Sequence, residues 1–111
     1  MTTVFRNVVA SAHLGTSVSI LYTSTSAKTV LDTLTVANTS AADAEFTCYL
    51  VPNGDSPADS NKLTSARALA AGETYVCAPA IGHVLESGAS IQAFSSTASS
   101  LAIRASGRQI T

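Results

Sequence analysis

The chain has 111 residues, enough for one domain with its own hydrophobic core and without a metal ion or disulfide to hold it together. Only 12% of the residues are charged, the net charge is −1, and the six basic residues are scattered, which argues against a nucleic-acid-binding surface. No apolar run reaches the length of a membrane span, so we expect no membrane partner.

Short strands are predicted along the whole chain. Apolar and polar residues alternate in eight segments, which are residues 3–9, 17–23, 29–38, 44–51, 61–68, 74–78, 90–95 and 101–105. Residues 79–85 are predicted as a loop or a single helical turn, and residues 106–111 as an extension of the last strand or a short final one. The pattern predicts an all-β fold over residues 1–111: a single small β-sandwich, immunoglobulin-like or jelly-roll-like, of about seven or eight short antiparallel strands.

Three local features sharpen this prediction. Gly72 and Gly88 each precede an alternating segment, so each is predicted to take a positive φ in a turn that begins a strand. Glu73, beside the first of these glycines, is interpreted as a turn residue. Asp32 would fall on the apolar face of its strand, which indicates a β-bulge or a partly exposed start.

The sequence shows no motif for catalysis or for a cofactor. His13 and His83 lack cysteines or carboxylates at metal-ligand spacing, and no Gly-x-Ser-x-Gly motif marks a nucleophile. Cys48 and Cys77 are predicted to be reduced, buried thiols, since the N-terminus lacks the pattern of a secretory signal and synthesis in the cytoplasm is expected. We therefore expect no enzymatic activity, no metal and no cofactor.

Tyr49 is the aromatic residue that the pattern places away from the core. It alternates with Phe46, Cys48 and Leu50, so it points to the opposite face of its strand and is predicted to be exposed. An exposed tyrosine on a sheet serves as an interface anchor, and the alternative is a sugar-stacking platform.

Several short phrases resemble small virion proteins of tailed bacteriophages. They span most of residues 18–107 and include Thr29-Val30-Leu31, Leu34-Thr35-Val36-Ala37-Asn38-Thr39-Ser40, Tyr49-Leu50-Val51-Pro52-Asn53-Gly54, Leu69-Ala70-Ala71-Gly72-Glu73-Thr74-Tyr75, Val84-Leu85-Glu86-Ser87-Gly88 and Ile103-Arg104-Ala105-Ser106-Gly107. The resemblance implies an immunoglobulin-like β-sandwich with a structural role and no enzymatic activity. It carries over no site residues.

This resemblance implies a location in the virion, after synthesis in the host cytoplasm. The expected function is that of a capsid decoration or cement protein, and the alternatives are an accessory subunit of the neck, tail or fibre, or a carbohydrate-binding adhesion module on the same fold. The expected partners are other virion proteins, either major capsid or neck and tail subunits, together with further copies in a homo-oligomer.

The contacts with neighbours are predicted at strand edges and at the two ends of the chain. A surface with few charges can be buried against another protein without leaving charges unpaired. Residues 1–9 and 106–111 are the predicted arms, because adding a strand to a neighbour's sheet needs only backbone groups. The candidate interface residues are Val4, Phe5, Arg6, Tyr49, Arg108 and Ile110.

Overall fold

The computed structural model describes residues 2–111 as two antiparallel β-sheets that pack into a sandwich. Its nine strands, in chain order, are β1 (Thr3–His13), β2 (Ser19–Thr23), β3 (Lys28–Asn38), β4 (Ala44–Val51), β5 (Lys62–Leu69), β6 (Thr74–Val76), β7 (Val84–Leu85), β8 (Ser90–Ser95) and β9 (Leu101–Ile110). Two short 3₁₀ turns, Asp59–Asn61 and Ala78–Ala80, interrupt the loops. Within residues 2–111, no helix combines the length and the apolarity needed to cross a bilayer. The predicted all-β sandwich is confirmed.

The strand order identifies the sandwich as a jelly roll. The first sheet has the order β1-β9-β3-β6, with β7 also paired to β3, and the second sheet has the order β2-β8-β4-β5. The chain thus forms nested antiparallel pairs: β1 with β9, β2 with β8, β3 with β6 and β7, and β4 with β5. This nesting is the two-Greek-key arrangement of a jelly roll, so the immunoglobulin-like alternative does not describe this chain.

The core between the sheets is aliphatic, as the low aromatic content predicts. Its largest fully buried side chain is Phe46, which is 0% exposed. The other core residues from the central strands include Leu31, Leu34, Val36, Ile91, Ala93, Leu101 and Ile103. Among the described residues, every buried side-chain nitrogen and oxygen has a hydrogen-bond partner.

The local predictions at the turns and at Asp32 are confirmed. Gly72 and Gly88 have φ values of +78° and +90°, a region that other residues enter only with strain. Glu73 closes its turn by accepting a hydrogen bond from the backbone N–H of Ala70 at 2.8 Å. The register of β3 against β9 shifts next to Asp32, and this bulge turns the carboxylate away from the core.

Three parts of the structure differ from the sequence-based prediction. The first strand, predicted over residues 3–9, continues to His13 as β1. Residues 79–85 are predicted as a loop or a single helical turn. They contain the end of the second 3₁₀ turn and also the short strand β7, because this stretch runs beside β3 and pairs with it. The predicted arms do not project separately. Residues 3–7 pair with residues 106–110, so each segment forms backbone hydrogen bonds with the other along one of its edges. Met1, the first residue of the predicted N-terminal arm, lies outside the described residues.

The two cysteines lie close together in the core, and both are free and fully buried, as expected. Thr64 of β5 is opposite Cys48 in the sheet, and its Oγ1 lies 3.6 Å from the Sγ of Cys77. Burial, reinforced by the nearby Cys77, raises the pKa of the Cys48 thiol from 9.0 to about 12.

This raised pKa predicts that the protein loses stability in alkaline solution. Above pH 9 the unfolded chain releases the Cys48 proton while the native state keeps it, so the free energy of unfolding falls by about 1.4 kcal/mol per pH unit. The stabilisation that comes from the protonated Cys48 thiol is fully present below pH 9 and is lost as the pH rises through about 12. Urea unfolding in reductant at successive pH values measures the slope.

The matched variant for this experiment is Cys48→Ala. It lowers stability at every pH because it leaves a cavity, but it removes the titrating thiol. Its unfolding free energy should therefore fall less steeply with pH than that of the wild type. Parallel pH slopes in the two proteins would show that Cys48 is not the responsible group.

Candidate interface

The most exposed apolar strand surface is the first half of β1, which we call the edge segment (residues 3–7). All five of its residues are exposed, whereas Val8 and Val9, which follow, are buried. Because side chains alternate between the two faces of a strand, exposure of five successive residues means that neither face is covered here. The edge segment is paired on one side only, to β9.

Phe5 is the centre of this surface. Its side chain is 77% exposed, more than any other large hydrophobic residue in the described chain. The register places Phe5 opposite Arg108, Arg108 opposite Val30, and Val30 opposite Val84. We call these four residues the outer row. They lie on the face of the first sheet that points away from the core, since the neighbouring positions Gly107 and Leu31 point to the buried face.

The positive charge in the outer row is held by an ion pair. Arg108 Nη2 lies 3.0 Å from Asp32 Oδ1, and its Nε donates to both carboxylate oxygens at 3.1 and 3.2 Å. Both side chains are partly exposed, so the pair contributes little to stability and mainly fixes the guanidinium in place. The row therefore presents apolar surface next to a charge that is already neutralised.

The structure brings together five of the six predicted interface residues. Val4 and Arg6 alternate with Phe5 and lie on the other face of β1, opposite Gln109 and Gly107. Ile110 is partly buried and lies opposite Thr3, on the same face as Arg108. All five sit on the paired ends of β1 and β9, which are the two segments that the sequence predicted as arms.

Tyr49, the sixth predicted residue, is not part of this surface. It does point away from the core of the sandwich, but only 8% of it is exposed, so the prediction of an exposed aromatic is wrong. Phe94 stacks beside its ring at a centroid distance of 6.5 Å, and Lys62 Nζ lies 5.7 Å from its centroid. A 3.1 Å contact with Asp59 holds the Lys62 ammonium and raises its pKa, so the cation that covers Tyr49 stays charged.

The other two tyrosines are also engaged within the fold. Tyr22 Oη is 3.0 Å from Thr29 Oγ1 and accepts a hydrogen bond from Gln109 Nε2 at 2.8 Å. The guanidinium of Arg67 lies 4.4 Å from the centre of the Tyr75 ring. Both rings are also partly buried against the hydrophobic core.

The described residues contain no cluster of possible metal ligands. Nowhere in residues 2–111 do three His, Cys, Asp or Glu side chains come together as possible metal ligands. His83 lines a shallow groove of about 310 Å³ with Lys62, Asn61 and Leu50, and none of the residues that line this groove is acidic.

Two contributors to the candidate interface escape sequence reasoning. Val84 enters the outer row only because β7 pairs with β3, and Asp32 reaches Arg108 only because β3 bulges beside β9. Both depend on strand register between segments distant in the chain. The one local signal in the sequence is Asp32, a charged residue at an apolar position of its strand. It indicates the bulge, but it does not identify Arg108 as the partner of the carboxylate.

Comparisons with protein-family models, with curated proteins and with solved structures gave no match for this chain. The likeness to virion proteins of tailed bacteriophages therefore rests on the sequence phrases quoted above. The jelly roll adds the architecture, which capsid and lectin domains share and which does not by itself define a function.

Proposed function

We propose that this chain is a non-enzymatic structural subunit of a tailed-phage virion, acting as a capsid decoration or cement protein. In this role the edge segment and the outer row bind a neighbouring virion protein. The proposal draws on the likeness to tailed-phage virion proteins and on a jelly-roll architecture found among capsid domains.

The observation that carries the proposal is the uncovered edge segment with Phe5 at its centre. An aromatic side chain that is 77% exposed adds nothing to the core of its own domain. Aromatic residues of this kind are enriched at protein–protein interfaces, where they supply much of the binding energy. A strand edge adds backbone donors and acceptors that a neighbouring chain can pair.

Substituting Phe5 is expected to weaken attachment to particles without weakening the fold. Phe5→Ser should leave the free energy of unfolding within about 0.5 kcal/mol of the wild type, since the side chain is exposed. Its binding to particles that lack this protein should fall roughly tenfold or more. Quantitative mass spectrometry of the purified particles measures the bound copies.

The control for this variant is Ile20→Ser, which removes another exposed hydrophobic side chain, 61% exposed, from the second sheet. This protein should attach normally. Equal loss of attachment in both variants, or none in Phe5→Ser, would argue against the edge segment as the binding surface. The copy number separates the capsid from a neck or tail position: hundreds of copies fit a decoration protein, and a small ring number fits the neck or tail.

The carbohydrate-binding alternative lacks a supporting observation. Tyr49, the residue on which it depended, is covered by Lys62 and Phe94. The exposed aromatic of the described chain is Phe5, which lies on a strand edge rather than in a pocket.

A further inference from the structure

The open strand edges of the sandwich are not equally fit for pairing with another chain. The edge strand β5 is irregular, with register shifts against β4, a positive φ at Ala66 and the cations Lys62 and Arg67. The edge strand β2 has five residues and is broken by a shift after Ile20. Such bulges and charges are the features that protect edge strands from unintended pairing.

The edge segment of β1 lacks these protective features. Its register against β9 is regular from Thr3 to Asn7, and the first shift comes after Asn7. It contains no proline and no lysine, and its one charged residue is Arg6. Among the described strands, it therefore offers the longest regular edge open to a partner.

The backbone polarity of this edge follows from one pair of hydrogen bonds. Thr2 and Thr111 exchange two bonds, of 3.1 and 2.9 Å, so the backbone groups of Thr2 point toward β9. Antiparallel pairs alternate between bonded and non-bonded, and the register is constant up to Asn7. The N–H and C=O groups of Thr3, Phe5 and Asn7 therefore point outward from the sheet.

These outward groups are symmetric about Phe5. If a second copy approaches antiparallel with a two-fold axis at Phe5, then Phe5 faces Phe5 and Thr3 faces Asn7, and each pair exchanges two backbone hydrogen bonds. Val4 of one copy then lies opposite Arg6 of the other. No two like charges face each other, and the whole edge segment is paired.

The other two-fold registers are poorer. An axis at Arg6 sets two guanidinium groups directly opposite, which is unfavourable. An axis at Val4 leaves Arg6 and Asn7 without partners inside the edge segment, and an axis at Asn7 runs into the register shift that follows it. The Phe5 register is therefore the one that uses the complete regular edge.

We propose that the partner of the edge segment is a second copy of this chain, joined antiparallel through β1 about a two-fold axis at Phe5. The two first sheets then form one continuous sheet, with the two Phe5 rings side by side on its outer face. This inference rests on the proposed function. It identifies a second copy of this chain as the first neighbour that the edge segment binds.

The pairing is weak when it acts alone. A stable interface buries about 800 Å² on each partner, and a strand pair of five residues buries less. The dimer is therefore expected to form at high protein concentration and to gain strength when both copies are also held on one particle.

Cysteine cross-linking of the full-length protein in the absence of particles tests the register. The native cysteines are buried, so an introduced surface cysteine reacts selectively in the folded state. Phe5→Cys should cross-link with itself roughly tenfold faster than the exposed control Ile20→Cys, because the paired strands hold the two thiols together. Val4→Cys and Arg6→Cys should cross-link faster in a mixture than either does alone.

Sedimentation equilibrium provides a test that needs no thiol chemistry. The wild type should self-associate at high concentration, and Phe5→Lys should raise the dissociation constant roughly tenfold or more by setting two ammonium groups opposite each other. Ile20→Lys, an equal change on the second sheet, should leave the constant unchanged. A wild type that stays monomeric, or cross-linking in another register, would overturn the proposal.

These results are separable from the test of function. A monomeric protein that still needs Phe5 to attach to particles would overturn the two-fold pairing and leave the virion role intact. A dimer with the expected register that attaches to no particle would support the pairing and overturn the virion role.

Discussion

Gly107→Ala is expected to lower the free energy of unfolding by about 3 kcal/mol, because the added methyl group has no space in the sheet. A Cβ at position 107 would overlap the backbone carbonyl oxygen of Val30 and come within 3.4 Å of the Cα of Leu31. Both neighbours belong to β3, the central strand of the first sheet, so backbone must move to make room. Urea unfolding measures the loss.

The matched control is Gly15→Ala. Gly15 is exposed, and a Cβ added there would meet no atom within 4 Å. The substitution should change the free energy of unfolding by less than about 1 kcal/mol, because it only restricts the unfolded chain. If both variants lost the same stability, the close approach of β9 to β3 at Gly107 would not be the cause.

Asn38→Ala is expected to cost about 2–3 kcal/mol of stability, because it removes a buried amide with four hydrogen bonds, one of them to the buried carbonyl of Leu69. Asn38 is 2% exposed, and its Nδ2 donates to the carbonyl oxygens of Ala42 and Leu69 at 2.9 and 3.0 Å. Its Oδ1 accepts from the backbone N–H and the hydroxyl of Ser40 at 3.0 and 2.8 Å. Thermal or urea unfolding gives the difference from the wild type.

Asn61→Ala separates the effect of burial from the effect of residue type. Asn61 also donates to a carbonyl, that of Ser56, and accepts from the N–H of Ala58, both at 3.0 Å, but these bonds are exposed. Water replaces them when the amide is removed, so the loss should stay below about 1 kcal/mol. A loss as large as that of Asn38→Ala would mean that burial does not explain the role of Asn38.

The features of the fold that could be predicted are those with a local cause. Gly72 and Gly88 indicate their turns because a positive φ favours glycine. Asp32 indicates a bulge because a carboxylate is unfavourable on an apolar strand face. Alternation over six to ten residues likewise identifies the long strands. By contrast, Val84 and Leu85 form β7 only because β3 is there to pair with them, and two residues show no periodicity.

The candidate interface was predictable in its residues but not in its arrangement. The sequence placed Phe5 and Arg108 near the two chain ends, and the structure sets them opposite each other through strand register. For Tyr49, alternation gave the correct face, yet exposure depends on what covers that face. Lys62 and Phe94 reach Tyr49 from neighbouring strands, and nothing in the local sequence encodes those contacts.

The nested pairing of the jelly roll also sets an order in which the fold can be completed. The innermost pair, β4 with β5, closes over a short stretch of chain, whereas β1 must wait for β9, the ninth of the described strands in chain order. Closing the longest loop carries the greatest entropic penalty, so this pair forms late. The paired surface on which Phe5 lies opposite Arg108 therefore forms only after β9 has been synthesised, and a nascent chain that lacks β9 cannot compete for the same contacts.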